Sequence, residues 1–483
     1  MSACDRSDGT IPFRGGPLEL EIRYPQDGVS AAESTAVWGS IGSGRASLRI
    51  NGASQRVERN GAFALFVPVP KGDAPVLRFE AKLGDATLSE DVRLVRTRPA
   101  PPAESPQPVS WGRWVRLRRL PSDTTDSATQ ARPIFSRWSP GGRIALPLNQ
   151  GLRLFADARW QNEMRLQLAP GVLVWIPTAD ADTLAPKRAV TLAAASLSLS
   201  TDGSESSIAV ALPEEVATLV DFVPNTLTWT LYGVTLANRS AGAAAAGTIR
   251  SVRQTDRGPG RATIEVELAE EPLGWRVEWQ GDRQVLRIRN RSAVRAGLAA
   301  ALIGLDAGHP PLGTIGADGL AEDSMTLAVA RATAQRLRAL GGRPVLIRDD
   351  ASPMSLDARL VAADRANVDL FVSIHGNSPG AGRPPTAVDG TLVYWLQPNG
   401  FTLGRALLDE VSASLDQRRI GLVREDFAVL RATWYPSVLV EGTGLVLPNR
   451  EASLRTPAGV AAYADGIVAG IVRWFDAQSA ARQ

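Results

Sequence analysis

Near Leu298 the hydrophobic pattern of this 483-residue chain changes period, and no other feature limits its fold as strongly. Before that point apolar and polar residues alternate in short runs, as in Leu18-Glu19-Leu20-Glu21-Ile22, Ala46-Ser47-Leu48-Arg49-Ile50 and Leu77-Arg78-Phe79-Glu80-Ala81. A period of two belongs to half-buried strands, whose successive side chains face opposite sides of a sheet. Beyond it, apolar runs such as Leu302-Ile303-Gly304-Leu305, Val345-Leu346-Ile347, Leu370 to Ile374, Leu392 to Trp395 and Val438-Leu439-Val440 are separated by stretches of helical spacing. Leu327, Ala330, Ala334 and Leu337 share one such face, Ser355 is placed to cap a helix running to about Asn367, and further helices are expected near 402–417 and 457–475. The chain is therefore predicted to be multidomain: all-β modules followed by an α/β domain over about 298–478.

The β part divides further. Residues 16–97 contain strands at regular spacing, with Asn51-Gly52 and Asn60-Gly61 as turns, and predict an immunoglobulin-like sandwich. A stiff proline-rich linker, 98–110, follows. Residues 111–180 predict a small barrel resembling bacterial SH3-type modules, and 185–292 a further β-domain, the boundary falling within 178–190. The aromatics of that domain are read as core in preference to a ligand-stacking surface. Ala241 to Gly247 is a low-complexity loop.

Composition narrows the function classes. With 44% hydrophobic and 21% charged residues, the chain is neither disordered nor fibrous. A formal charge of +3 is too small for the basic field that nucleic-acid binders use, so no nucleic-acid partner is expected. The single cysteine, Cys4, rules out an internal disulfide or a thiolate metal cage. No run of 18 apolar residues predicts a membrane span, and the first residues lack the apolar core of a signal peptide. Ser2-Ala3-Cys4 before a polar run nevertheless resembles the cut site of bacterial lipoprotein signals. Cys4 is thus a candidate for lipidation and membrane anchoring, the alternative being a chance surface cysteine.

The chemistry gathers in the α/β domain. Ligands of such sheets lie beyond the carboxyl ends of the strands. His309 and His375, the only two histidines, both follow apolar strands, as does Glu441. Glu322 stands at the first turn of a predicted helix, where a carboxylate is favoured electrostatically. Two imidazoles and a carboxylate with a fourth position open form a known ligand set for hydrolytic Zn²⁺, and a further carboxylate can serve as general base. Each residue also has a plain structural reading: a satisfied loop histidine, or an ordinary helix N-terminal charge. Glu441 resists it most, because an acid after Leu439-Val440 is costly to bury unpaired.

The segments Leu305-Asp306-Ala307-Gly308-His309, Gly319-Leu320-Ala321-Glu322, Val345 to Asp349, Leu356-Asp357-Ala358-Arg359, Phe371 to Asn377, Val429-Leu430-Arg431 and Pro436 to Glu441 fall in this order. Together they resemble the zinc-dependent N-acetylmuramoyl-L-alanine amidase family over about 300–476. The resemblance implies His309, Glu322 and His375 as zinc ligands and Glu441 as the catalytic glutamate. It also implies hydrolysis of the amide between N-acetylmuramic acid and the L-alanine of the peptidoglycan stem, in wall remodelling or daughter-cell separation. Zn²⁺ is then the cofactor, peptidoglycan the partner, and the cell envelope, periplasmic or otherwise extracytoplasmic, the location. Residues 185–292 resemble the envelope-targeting, AMIN-like β-domain found before such enzymes.

Arg431, expected on the strand before Glu441, is a candidate for holding a substrate carboxylate or the developing oxyanion, the alternative being an outward salt bridge; Asp306 is a candidate acceptor orienting His309, the alternative being a loop cap; and Asn377 is a candidate contact of the substrate or of the metal ligands. The sequence departs from the family pattern at Ala307, Pro310-Pro311 and Gly442-Thr443-Gly444, which alters loops but removes no ligand. The stretch 376–389 is too short for the autoinhibitory helix of some division-associated members, so the isolated catalytic domain is expected to be active without an activator. Two other readings stay open: a binding protein that recognises peptidoglycan without cutting it, and a zinc carboxypeptidase acting within the stem.

Overall fold

The computed structural model describes residues 11–97, 105–118, 133–185, 192–194, 197–236, 247–291, 294, 297–311 and 313–480. The expectations for Cys4, for most of the linker and for most of the Ala/Gly loop lie outside these residues. The chain forms two compact units, one of residues 1–100, 296–431 and 437–483, the other of 101–295 and 432–436.

In the second unit, residues 109–183 form a seven-stranded antiparallel sheet whose alternate residues, among them Val115, Leu148, Leu166, Val174 and Ile176, make one core. Residues 197–289 form two four-stranded sheets around another. Trp229 and Trp275 are buried there, with Trp279 packed against the cluster, so these aromatics are core, as expected.

In the first unit, residues 21–96 build a three-stranded and a four-stranded antiparallel sheet over a shared core of Val37, Leu48, Phe63, Leu77 and Phe79. Asn51 and Gly52, both at positive φ (50° and 79°), turn the hairpin joining 47–50 to 53–55. Asn60-Gly61 is also a turn, but it passes the chain from one sheet to the other.

The α/β part carries a six-stranded sheet: β1 (Leu302–Ala307), β2 (Arg343–Leu346), β3 (Leu370–Asn377), β4 (Thr391–Trp395), β5 (Arg419–Arg424) and β6 (Ser437–Gly444). Their order is β2-β1-β3-β6-β4-β5, parallel throughout except where β4 runs against β6. The central strands are apolar runs because a parallel sheet is covered on both faces. Five helices accompany it: α1 (Glu322–Ala339), α2 (Leu356–Arg365), α3 (Phe401–Ser414), α4 (Pro448–Leu454) and α5 (Pro457–Ala480). Ser355 caps α2, its hydroxyl accepting from the Ala358 amide at 3.2 Å.

Helix α1 buries Met325, Thr326, Val329, Ala330, Thr333, Ala334 and Leu337. Leu327, expected on that face, is only half-buried, because the stripe is carried in part by two threonines that a hydrophobicity count passes over. By length and composition α5 is apolar enough to cross a membrane. Instead it packs against α3 and α1, burying Tyr463, Ile467, Ile471, Trp474 and Phe475 as a core helix does. Between β3 and β4 the only helical turn is the four-residue Pro385–Val388.

Candidate metal centre

Three strand or helix ends converge beyond the sheet. β1 delivers His309 through Gly308, whose amide still bonds Ile374 O at 2.9 Å and so continues the ladder with β3. A side chain at Gly308 would place its Cβ 2.4–2.7 Å from the His375 ring, so glycine is what allows the two imidazoles to approach. Their ring centroids are 5.0 Å apart and nearly perpendicular, at 81°. His309 itself has φ +59°, an uncommon conformation for a residue with a side chain.

Glu322, the first residue of α1, lies between them. Its Oε2 is 3.3 Å from His309 Nε2 and its Oε1 3.3 Å from His375 Nδ1. The Thr314 amide donates to Oε2 at 2.8 Å and the Gly376 amide to Oε1 at 3.0 Å. One ligand atom from each of the three residues lies within 4.8 Å of the others. Donors about 2.1 Å from a tetrahedral ion are separated by roughly 3.4 Å, so the spacing suits a small nitrogen- and oxygen-preferring cation such as Zn²⁺.

Electrostatics fit the same arrangement. Burial acts to raise the Glu322 carboxyl, yet the hydrogen bonds to His309 and His375 hold it well below its ordinary range. Burial acts to lower His375, but the Glu322 hydrogen bond and the charges of Glu441, Glu322 and Asp306 raise it.

Glu441 lies within β6 directly opposite His375 of β3. Its Oε2 is buried and has no hydrogen-bond partner among the described residues. Burial, reinforced by the Glu322 charge and opposed by His375 and His309, pushes this carboxyl up to about 7. An orphaned buried oxygen is expensive unless something absent from a bare chain engages it, and an ion with its water would do so.

Residues beneath the site hold the strand ends. Buried Arg359 donates to Asp306 Oδ1 (2.5 Å) and to the carbonyls of Ala307 (2.7 Å), His309 (2.9 Å) and Pro310 (3.2 Å). Buried Arg348 donates to the carbonyls of Ala307 (2.9 Å), Gly308 (3.1 Å) and Asp323 (2.9 Å). The Tyr463 hydroxyl lies 2.9 Å from His375 O and 3.0 Å from Val440 O, its ring occupying the space where a Cβ of residue 442 would fall. Glycine at 442 is thus explained by the helix below it.

Of the remaining candidates, Asp306 turns to Arg359 and to the Ser373 hydroxyl (2.7 Å). Arg431 follows a 3₁₀ turn, Ala428–Leu430, outside any strand, and pairs with Asp426 at 2.8 Å. Asn377 ends β3, its carbonyl accepting from the Leu445 amide at 2.9 Å. Arg348, Arg359 and Tyr463 carried no sequence signal beyond their place in ordered segments, since their partners are backbone carbonyls brought close only by the fold.

An α/β sheet with two imidazoles and a carboxylate around a small gap, and a second carboxylate of raised pKa beside it, is an arrangement that metal-dependent hydrolases use. Residues 303–473 match the N-acetylmuramoyl-L-alanine amidase family model. The protein YqiI of Bacillus subtilis is 32% identical over 179 residues, 36% of this chain and 84% of that protein. The N-acetylmuramoyl-L-alanine amidase LytC of Bacillus subtilis is 32% identical over 28% of this chain and 28% of its own length. The N-acetylmuramoyl-L-alanine amidase AmiC of Neisseria meningitidis is 30% identical over 36% of this chain and 53% of its own. The chain belongs to the N-acetylmuramoyl-L-alanine amidase family, and its α/β part is an amidase domain of the peptidoglycan-hydrolysing type. It spans about half or less of the two named amidases.

Proposed function

We propose that this protein is a zinc enzyme that hydrolyses the amide between the lactyl group of N-acetylmuramic acid and the L-alanine of the stem peptide, with His309, Glu322 and His375 holding the metal and Glu441 moving the proton. The observation that carries the reading is the unpartnered, buried Oε2 of Glu441 beside three ligand atoms lying within 4.8 Å of one another. Bound zinc supplies Lewis-acid polarisation of the amide carbonyl and makes a water molecule more acidic.

Glu441 would accept a proton from an attacking water as the water oxygen bonds to the amide carbonyl carbon. It then returns the proton to the alanine nitrogen as the C–N bond breaks, leaving a lactyl carboxylate and a free amino end. Burial pushes this carboxyl up to about 7 in the metal-free chain, and a nearby dication would draw it down toward the ionised form that a general base needs. Thr314 and Gly376 fix the Glu322 carboxylate, while Arg348 and Arg359 hold the backbone that presents His309. Asp306 acts through Arg359, and Asn377 and Arg431 are assigned to the substrate side.

The place of action is the cell envelope, in wall remodelling or daughter-cell separation, with anchoring through a lipidated Cys4. The modules are assigned as an immunoglobulin-like sandwich (16–97), a linker (98–110), an SH3-like barrel (111–180), an AMIN-like domain (185–292) and the catalytic domain (298–478). The two-sheet arrangements and the seven-stranded sheet support these assignments. Mass analysis of sacculi digested by the zinc-loaded chain tests the reaction. Release of intact stem peptides is expected; shortened stems would point to a carboxypeptidase, and undigested material would overturn the lytic reading.

A further inference from the structure

Glu322 reaches the site on a loop whose shape is set from two sides. The loop is closed at its base: the Glu322 amide bonds Thr314 O at 3.0 Å, and the Thr314 amide returns to Glu322 Oε2 at 2.8 Å. Inside it sits the carboxylate of Glu451 from α4, fully buried, accepting from the amides of Asp318 at 2.6 Å and Leu320 at 2.7 Å. Those two amides converge because Gly319 between them has φ +91°. At Gly316 a Cβ would lie 2.5–2.8 Å from the same carboxylate, so the loop is wrapped tightly around it.

From outside, the N-terminal sandwich grips the loop. Trp38 donates its indole N–H to Ile315 O at 3.0 Å, held in place by stacking on Tyr24 with centroids 4.4 Å apart. Arg14 forms a two-pronged pair with Asp318 at 2.8 and 2.6 Å, the aspartate side chain being only 6% exposed. Ala36, Trp38 and Ala62 of the sandwich share one buried apolar cluster with Ala317, Val388 and Val446.

We infer that Glu451, enclosed by the 314–321 loop, and Trp38 of the N-terminal sandwich with Arg14 just before it are positioning residues for Glu322, which makes the sandwich part of the metal-holding apparatus. The inference rests on the assignment of Glu322 as a ligand. A carboxylate held in one rotamer by a rigid loop meets the ion without the ordering cost that a free side chain bears. Glu451→Gln leaves one loop amide facing an NH₂ group, whereas Trp38→Phe keeps an aromatic ring against Tyr24 and removes the indole N–H together with part of the buried ring.

The test is the zinc dissociation constant of full-length, metal-free protein, measured by competition with a chromophoric chelator, beside thermal unfolding of the same samples. Glu451→Gln is expected to weaken zinc binding by roughly 10- to 100-fold. Trp38→Phe is expected to weaken it by about 2- to 10-fold, the worth of one hydrogen bond. Unchanged zinc affinity in both, even with a lowered Tm, overturns the inference, and if Glu451→Gln does not fold, Trp38→Phe decides alone. Glu322→Gln separates the two levels: zinc held as tightly as in the wild type would mean that Glu322 is not a ligand, and the assignment beneath the inference falls.

Discussion

His375 and Glu441 face each other in register on the adjacent parallel strands β3 and β6. Residues in register on neighbouring strands project from the same side of the sheet, so an imidazole and a carboxyl held there keep a constant separation whatever the loops above them do. Glu441→Gln is therefore expected to keep zinc at about one per chain, while the rate of stem-peptide release falls roughly 10²- to 10⁴-fold. Metal analysis of the purified variant beside the digestion assay checks both halves; loss of zinc along with activity would recast Glu441 as a ligand.

Zinc binding should depend on pH in a defined direction. The raised His375 favours the imidazolium in the metal-free chain, so it contributes stability that is present below its unfolded value near 6.5 and lost as pH rises through its folded value. Depressed Glu322 contributes stability above its unfolded value near 4.3, lost only in acid. Zinc requires the neutral ring, hence the rise in Tm produced by zinc is expected to grow from pH 6 to pH 8. Differential scanning with and without zinc across that range would show it, and a constant increment would contradict it.

Asp306 and Arg359 form a buried pair at 2.5 Å, their side chains 1% and 3% exposed. Removing one partner strands the other. Asp306→Ala or Arg359→Ala is expected to destabilise the protein by about 3–5 kcal/mol, and a double variant by less than the sum. Chemical denaturation of the three variants measures this.

Gly308 permits the approach of the two imidazoles. Gly308→Ala places a methyl group within 2.4–2.7 Å of the His375 ring, so the ring must move or the strand end must shift, at a cost of about 1–3 kcal/mol. Stoichiometric zinc is expected to be lost on dialysis of this variant; wild-type retention would show that the ring has room to yield.

Much of the site could be read from the chain before folding. His309, His375 and Glu441 stood out because polar groups at the ends of apolar strands are rare, and sheet topology gathers such ends on one edge. Glu322 was less distinct: an acid in the first turn of a helix is ordinary, and only the order of neighbouring segments singled it out. What the sequence left hidden were groups that act on backbone. Arg348 and Arg359 meet carbonyls of a strand end far from them in sequence, and Tyr463 fits a hole made by Gly442, so neither spacing nor residue type announces them. Arg431 was expected on a strand but follows a 3₁₀ turn, since the apolar Val429-Leu430 fill the core from a bend as well as from a strand.

The phenol of Tyr463 bridges two carbonyls, one on each strand carrying the central pair, and it comes from the last helix of the described chain. The candidate site therefore has its foundation in the helix Pro457–Ala480: removing that helix while sparing the histidines and acidic side chains would still leave a cavity under both strands where an aromatic ring had been.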